Sequence, residues 1–423
     1  MKDFSNKFAL IIQDKVLRGR ILFTLGALIL FRVLASIPVP GVNSERLTQF
    51  FGSNEFFGLL NIFSGGGLSQ LSIVMLGVGP YITGSIIMQL LTIMSPKLKE
   101  MYQEEGEAGR RKFTQYGRIL TVPLAILQAF SFIKILEGQQ VLSHLGPFAL
   151  ITNLLVITAG SVLLMWIGEL ISEYGIGNGV SLIIFSGIVA TLPTEISQLA
   201  YAFSIEQIPV YLAFAAVALI VIIAVVIITE AERPIPITYA KQVRGNRVYG
   251  GTSTYLPLRI NQAGVIPIIF ALSILLFPQM ILKFFQASAN AMLQSVSTTI
   301  LNILANGWFY GAAYFLLVFI FTYFYTAVTF DPDQISTNLQ KNGAFIPGVR
   351  PGKSTSDHIS KILTRLTLVG AVFLGLIAVL PLIMRGITGI TAVSVGGTAL
   401  LIVVSVVIDL IKKVEAQVSI REY

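Results

Sequence analysis

The chain has 423 residues, 54% of them hydrophobic and only 12% charged, with a formal net charge of +8. Soluble domains carry about 25% charged residues, so this composition, with a mean hydropathy of +0.80, belongs to an integral membrane protein. Cysteine is absent and the only histidines are His144 and His358; this excludes disulfides, thiolate metal sites and cysteine nucleophiles, and leaves zinc or histidine chemistry little to work with.

The first residues are amphipathic and charged rather than a short apolar core, so a cleavable signal peptide is not expected. At about 20 apolar residues per crossing, the sequence predicts ten spans. They lie near 20–38, 71–94, 116–136, 150–172, 178–198, 209–229, 262–285, 306–330, 363–384 and 391–411. Arg32, near one end of the first span, is expected to snorkel to the membrane surface. Before the second span, Phe56–Leu68 is apolar but too short to cross, and it contains Gly65-Gly66-Gly67. A helix-breaking glycine run at that point favours a movable, re-entrant element over a surface loop. Reading Ser64-Gly65-Gly66 as a catalytic serine turn fails because no base accompanies it.

The second span opens on Gly77-Val78-Gly79-Pro80-Tyr81-Ile82, and the seventh on Gly264-Val265-Ile266-Pro267-Ile268-Ile269. Both read Gly-Val-x-Pro-x-Ile. Glycine loosens a helix and proline removes one of its hydrogen bonds, so both spans are predicted to be interrupted at membrane depth. Such backbone is tolerated only where it faces protein or a cavity, and matched breaks in two halves point to a transport path. Val78, Ile82 and Ile269 suit an apolar constriction. Gln89 and Asn261 are polar residues placed to meet where helices must part, whereas Gln128 reads as an ordinary interhelical hydrogen bond.

The fourth and fifth spans form a hairpin over the tight Glu173–Gly177 turn. Glu169 and Asp409 read as solvated charges at helix ends. Long basic loops follow the sixth span (about 230–261) and the eighth (about 331–362). They carry Arg244-Gly245-Asn246-Arg247 and Pro347-Gly348-Val349-Arg350-Pro351-Gly352-Lys353. Topology alone needs less chain than this. Proline and glycine around Arg350 would hold its side chain in a fixed exposed turn, suited to a carboxylate or phosphate on a large partner.

Of the 29 basic residues, all but Arg32, Arg46, Lys134, Lys283 and Arg385 fall on one side of these spans, which places both termini in the cytoplasm. The even count divides into 1–205 and 206–423. Five spans each make the halves an inverted repeat, with the Gly-Val-x-Pro segment second in both. Span interiors hold almost no ionisable residue, which argues against an ion-coupled solute transporter. They also lack the paired acids, metal ligands or activated serine of an intramembrane protease, and no Gly-x-x-x-x-Gly-Lys-Ser/Thr loop occurs.

Further motifs include Ile37-Pro38-Val39-Pro40-Gly41, Asn61-Ile62-Phe63-Ser64-Gly65-Gly66, Gly106–Lys112, Gly175-Ile176-Gly177-Asn178-Gly179, Tyr239-Ala240-Lys241, Leu256–Pro267 and Gly396-Gly397-Thr398. In this order on ten spans the chain resembles, over essentially its full length, the SecY family, the channel subunits of bacterial Sec protein translocases. The resemblance implies an all-α polytopic protein of the bacterial plasma membrane, shaped as an hourglass channel with a lateral gate between spans 2–3 and 7–8. It implies a pore ring of Val78, Ile82, Ile184, Ile269 and Ile402, and a plug over about 59–70 that includes Leu60, Phe63, Ser64, Gly65 and Gly66. Arg350 matches the arginine important for the SecA motor; Arg244 and Arg247 match positions facing SecA or the ribosome. Glu232–Ile237 departs from the basic run of many members, so no partner contact carries over there. Implied partners are SecE, SecG, SecA, the ribosome, signal peptides, the translocating polypeptide and lipid. No cofactor and no enzymatic activity are expected.

Overall fold

A computed structural model describes residues 14–40, 61, 64–68, 70–138, 141–142, 145–201, 208–240, 242–244, 247–249, 253–286, 290–388 and 396–422. Thirteen helices account for most of them. Helix α1 (Lys15–Ala35) starts where the Asp14 carboxylate accepts the backbone N–H groups of Val16 and Leu17 at 2.7 and 3.3 Å. Helix α2 (Gly79–Met94) carries Pro80 in its first turn, where the missing N–H has no intrahelical partner to lose. It stops at Ser95, which is extended as the residue before Pro96 must be, and α3 (Pro96–Gln103) follows at once. Next come α4 (Gly106–Gly138), α5 (Pro147–Tyr174), α6 (Gly179–Tyr201) and α7 (Ile208–Glu230). After a region of strands, α8 (Ile266–Gln286), α9 (Ala291–Ala305), α10 (Gly307–Thr329), α11 (Pro332–Lys341), α12 (Lys353–Thr388) and α13 (Gly396–Glu422) complete the chain.

Among the described residues, four helical stretches are long and apolar enough to cross a membrane: Gly106–Gly138, Pro147–Tyr174, Gly307–Lys341 and Lys353–Met384. Shorter apolar helices include Gly79–Met94, Gly179–Pro193, Ala215–Glu230 and Ile266–Leu275. The second predicted span is corrected: its first third, Leu71–Val78, is a chain of turns, and only the part after the Gly-Val-x-Pro motif is helical.

Glycines set how closely these elements approach. A Cβ built on Gly160 of α5 would lie 2.1 Å from the Ile73 carbonyl oxygen, so the non-helical segment is pressed directly onto α5. One built on Gly179 would lie 1.9 Å from the Gly168 carbonyl oxygen, which closes the α5–α6 hairpin expected over Glu173–Gly177. The main core is continuous from Phe31 of α1 through Ile184 of α6 to Ile402 of α13, so both predicted halves share it.

The all-α expectation is also corrected. Strands β1 (Glu232–Tyr239), β4 (Ser253–Arg259) and β5 (Ala344–Phe345) form an antiparallel sheet in the order β4-β1-β5, and β2 (Gln242–Arg244) pairs with β3 (Arg247–Tyr249). The two long basic loops are thus joined, since β5 comes from the second of them. Ile235 and Ile237 alternate inward while Pro234 and Pro236 face out. Pro234 stands opposite Pro257, and neither has an N–H to give, so that pair sits at a non-hydrogen-bonded position. Ile235, Leu258, Ile346, Ile359 and Ile362 give this region a separate core.

Candidate functional site

The two Gly-Val-x-Pro-x-Ile segments adopt the same local structure. Gly77 has φ 57° and Gly264 has φ 61°, left-handed values that favour glycine. Each helix starts two residues later, at Gly79 and Ile266, with proline in its first turn. In both, the closing isoleucine donates its N–H to the motif valine: Ile82 to Val78 at 3.0 Å, Ile269 to Val265 at 3.3 Å. A side chain holds each glycine carbonyl, Ser161 Oγ donating to Gly77 at 2.9 Å and Asn261 Nδ2 to Gly264 at 3.2 Å. The predicted interruption is therefore a helix start after a left-handed turn. Proline ends no helix here; it begins one.

These starts bury the isoleucine that follows each proline. Val78, Ile82, Ile184, Ile269 and Ile402 are all buried in a single core. Ile82, Ile184 and Ile269 also line a cavity of about 490 Å³, together with apolar Val180, Ile266 and Phe270 and with polar Ser85, Gln89, Thr114, Arg118, Glu169, Asn178 and Ser181. A second cavity of about 240 Å³ shares Asn178, Ser181, Ile266 and Tyr325 with it and reaches Asn261, Asp409, Lys412 and Lys413. Gln89 and Asn261 thus line adjoining cavities and do not bond each other. Gln89 Nε2 donates to Ser85 Oγ at 3.5 Å, and Gln89 Oε1 and Asn261 Oδ1 are buried with no partner among the described residues. Helix α8 packs against both α2 and α4, so the first and second halves meet along these helices.

Two charges have other surroundings than expected. Glu169 accepts from Arg118 Nε at 2.6 Å across the α4–α5 contact, forming part of the cavity wall rather than a free helix end. Arg32 does not reach away from the protein: its Nη1 donates to the Gly65 carbonyl at 2.8 Å.

Of the predicted plug, Leu60 and Phe63 lie outside the described residues. Ser64 is fully buried, its Oγ donating to the Asn61 carbonyl and accepting the Leu68 N–H, both at 2.9 Å. Gly65 and Gly66 have φ 63° and 82°. Arg244 and Arg247 face each other in register at the end of the β2–β3 ladder, and their side chains lie outside the described residues. Arg350 is exposed between Gly348 (φ 81°) and Gly352 (φ 95°). Thr355 Oγ1 holds its carbonyl at 2.9 Å, and its guanidinium has no ion-pair partner among the described residues.

The family model described as SecY matches residues 72–411. The chain belongs to the SecY family of protein translocase channel subunits. It is similar to the protein translocase subunit SecY of Mycobacterium bovis, with 43% identity over 96% of this chain and 96% of that one. The SecY subunit of Thermotoga maritima is 43% identical over 96% of this chain and 94% of its own length, and that of Synechocystis 42% over 97% and 94%. Among solved structures, a protein conducting channel aligns with TM-score 0.66 at 18% identity, covering 96% of this chain and 94% of that one. Sec61 in a canine ribosome-channel complex aligns with TM-score 0.62 at 17% identity, covering 96% and 94%. At those identities the likeness is one of fold. The SecY-family frame places this chain among multi-pass membrane channels.

Proposed function

We propose that this chain is the central pore of a bacterial Sec translocon, with ten spans in two inverted halves, 1–205 and 206–423, and both termini in the cytoplasm. It passes unfolded secretory chains across the plasma membrane and releases apolar segments sideways into lipid. The observation that carries this reading is a cavity about 490 Å³ in size where Ile82, Ile184 and Ile269 meet Ser85, Gln89, Arg118 and Glu169. The polar side chains of this vestibule let a hydrated extended chain approach. An apolar ring with Val78 and Ile402 excludes ions by denying them hydration, and a chain inside the ring replaces the segment that fills it when idle. The lateral gate lies between α2–α4 and α8–α10, with Gln89 and Asn261 as replaceable polar contacts; a signal sequence leaves through it because lipid suits its side chains better than the vestibule does.

Residues 59–70, including Leu60, Phe63, Ser64, Gly65 and Gly66, are the plug in this account. Energy comes from outside: SecA docks on Arg350, and SecA or the ribosome on Arg244 and Arg247, while SecE and SecG complete the membrane complex. The chain itself catalyses nothing. Deleting residues 60–68 tests the reading: resting ion conductance in planar bilayers should rise well above that of the intact channel. Unchanged conductance would contradict the plug assignment.

A further inference from the structure

The geometry points to Arg32 as the latch that holds the plug seated, a positioning residue for gating with Gly187 as its counterpart on the opposite wall. The inference rests on the plug reading above. Arg32 lies inside the first apolar helix, half-buried, where an unpaired charge is costly. Its Nη1 gives a hydrogen bond of 2.8 Å to the Gly65 carbonyl and lies close to Gly66 as well. The guanidinium carbon sits 5.7 Å from the centre of the fully buried Phe31 ring.

Gly65 is clamped on three sides. A Cβ on it would come within 2.5 Å of Phe31 Cζ, and one on Gly187 of α6 within 2.0 Å of the Gly65 Cα. Only two glycines can bring these backbones so close, and the left-handed φ of Gly65 turns its carbonyl toward the guanidinium. Beyond this point the chain is tied by the Ser72 hydroxyl, which donates to the Gly67 carbonyl at 3.0 Å. Opening the plug therefore breaks one charge-assisted hydrogen bond and separates one glycine–glycine contact, and the Arg32 charge must find water or lipid headgroups instead. That requirement biases the idle channel toward its closed state.

The chain's lack of cysteine makes a direct test available. In a Ser64→Cys background, the rate at which a polar maleimide labels the buried thiol reports how often the segment leaves its seat. Arg32→Met should raise that rate about tenfold, the scale of a hydrogen bond to a charged group. Arg32→Lys, which keeps a donor, should fall between. Gly187→Ala should raise it independently by pushing Gly65 off α6. If labelling in Arg32→Met and Gly187→Ala equals that of the background while the 60–68 deletion leaks ions, the latch is wrong and the plug reading stands. If both variants label faster but the deletion does not leak, the tether stands and the plug reading fails.

Discussion

Gly77 and Gly264 do work that no other residue type does cheaply at their positions. A left-handed backbone costs an L-residue about 1–2 kcal/mol, and both glycines sit at φ near +60° with their carbonyls held by Ser161 and Asn261. Gly77→Ala should lower stability in detergent by about that amount, read as a lower thermal unfolding midpoint; Gly79→Ala, at a site open on all sides, should change it little. Gly160→Ala should also cost stability, because its methyl would meet the Ile73 carbonyl oxygen at 2.1 Å. At this scale the sequence was readable where a residue's chemistry is local. The paired glycine–proline motifs named their own turn, and the isoleucine after each proline proved to be buried at a cavity. Arg32 was misread because its partner, a backbone carbonyl 33 positions away, carries no side-chain signature. Glu169 was misread for the same kind of reason, since its arginine comes from another helix.

Elements were legible when one continuous stretch decides them. Apolar runs located the helices, and Ser95-Pro96 and Gly179 mark breaks that the backbone rules require. Two elements escaped. Leu71–Val78 is apolar enough to be a span, yet it folds as turns against Gly160, a choice made by packing and not by composition. The sheet was invisible because β5 joins β1 from a distant loop and because Pro234 and Pro236 read against a strand until their partners, Pro257 and Tyr255, are known. Its separate core has a consequence for partner docking. Ile235→Ala removes a buried side chain from that core and should loosen the platform by about 2–5 kcal/mol, seen as faster proteolysis of residues 230–261 with the membrane helices unaffected. Arg350 sits at an exposed turn next to that platform, its backbone braced by Thr355 and two left-handed glycines. Arg350→Glu should therefore abolish motor-driven translocation while leaving the unfolding free energy within about 0.5 kcal/mol of the parent, as surface changes do. Normal ATP-driven translocation in that variant would remove Arg350 from the docking surface.

For the molecule as a whole, the account is that a polypeptide crosses through the apolar ring formed where the two halves meet. Both helices that follow a left-handed glycine, α2 and α8, supply a buried isoleucine to the shared core, and α8 packs on α2 and α4. In the proposed channel these supply the ring and the line along which it opens sideways. Composition revealed a membrane protein, and loop charge gave an expected orientation. Neither reveals the cavity, because it is assembled from six helices that each contribute between one and four residues. The most direct test places single cysteines at Ile82 and Ile269 and arrests a secretory chain in transit. Both positions should crosslink to the arrested polypeptide and lose that crosslink when it is released. Labelling of either position only by lipid-dissolved probes, with none from the polypeptide, would place the path elsewhere and contradict the account.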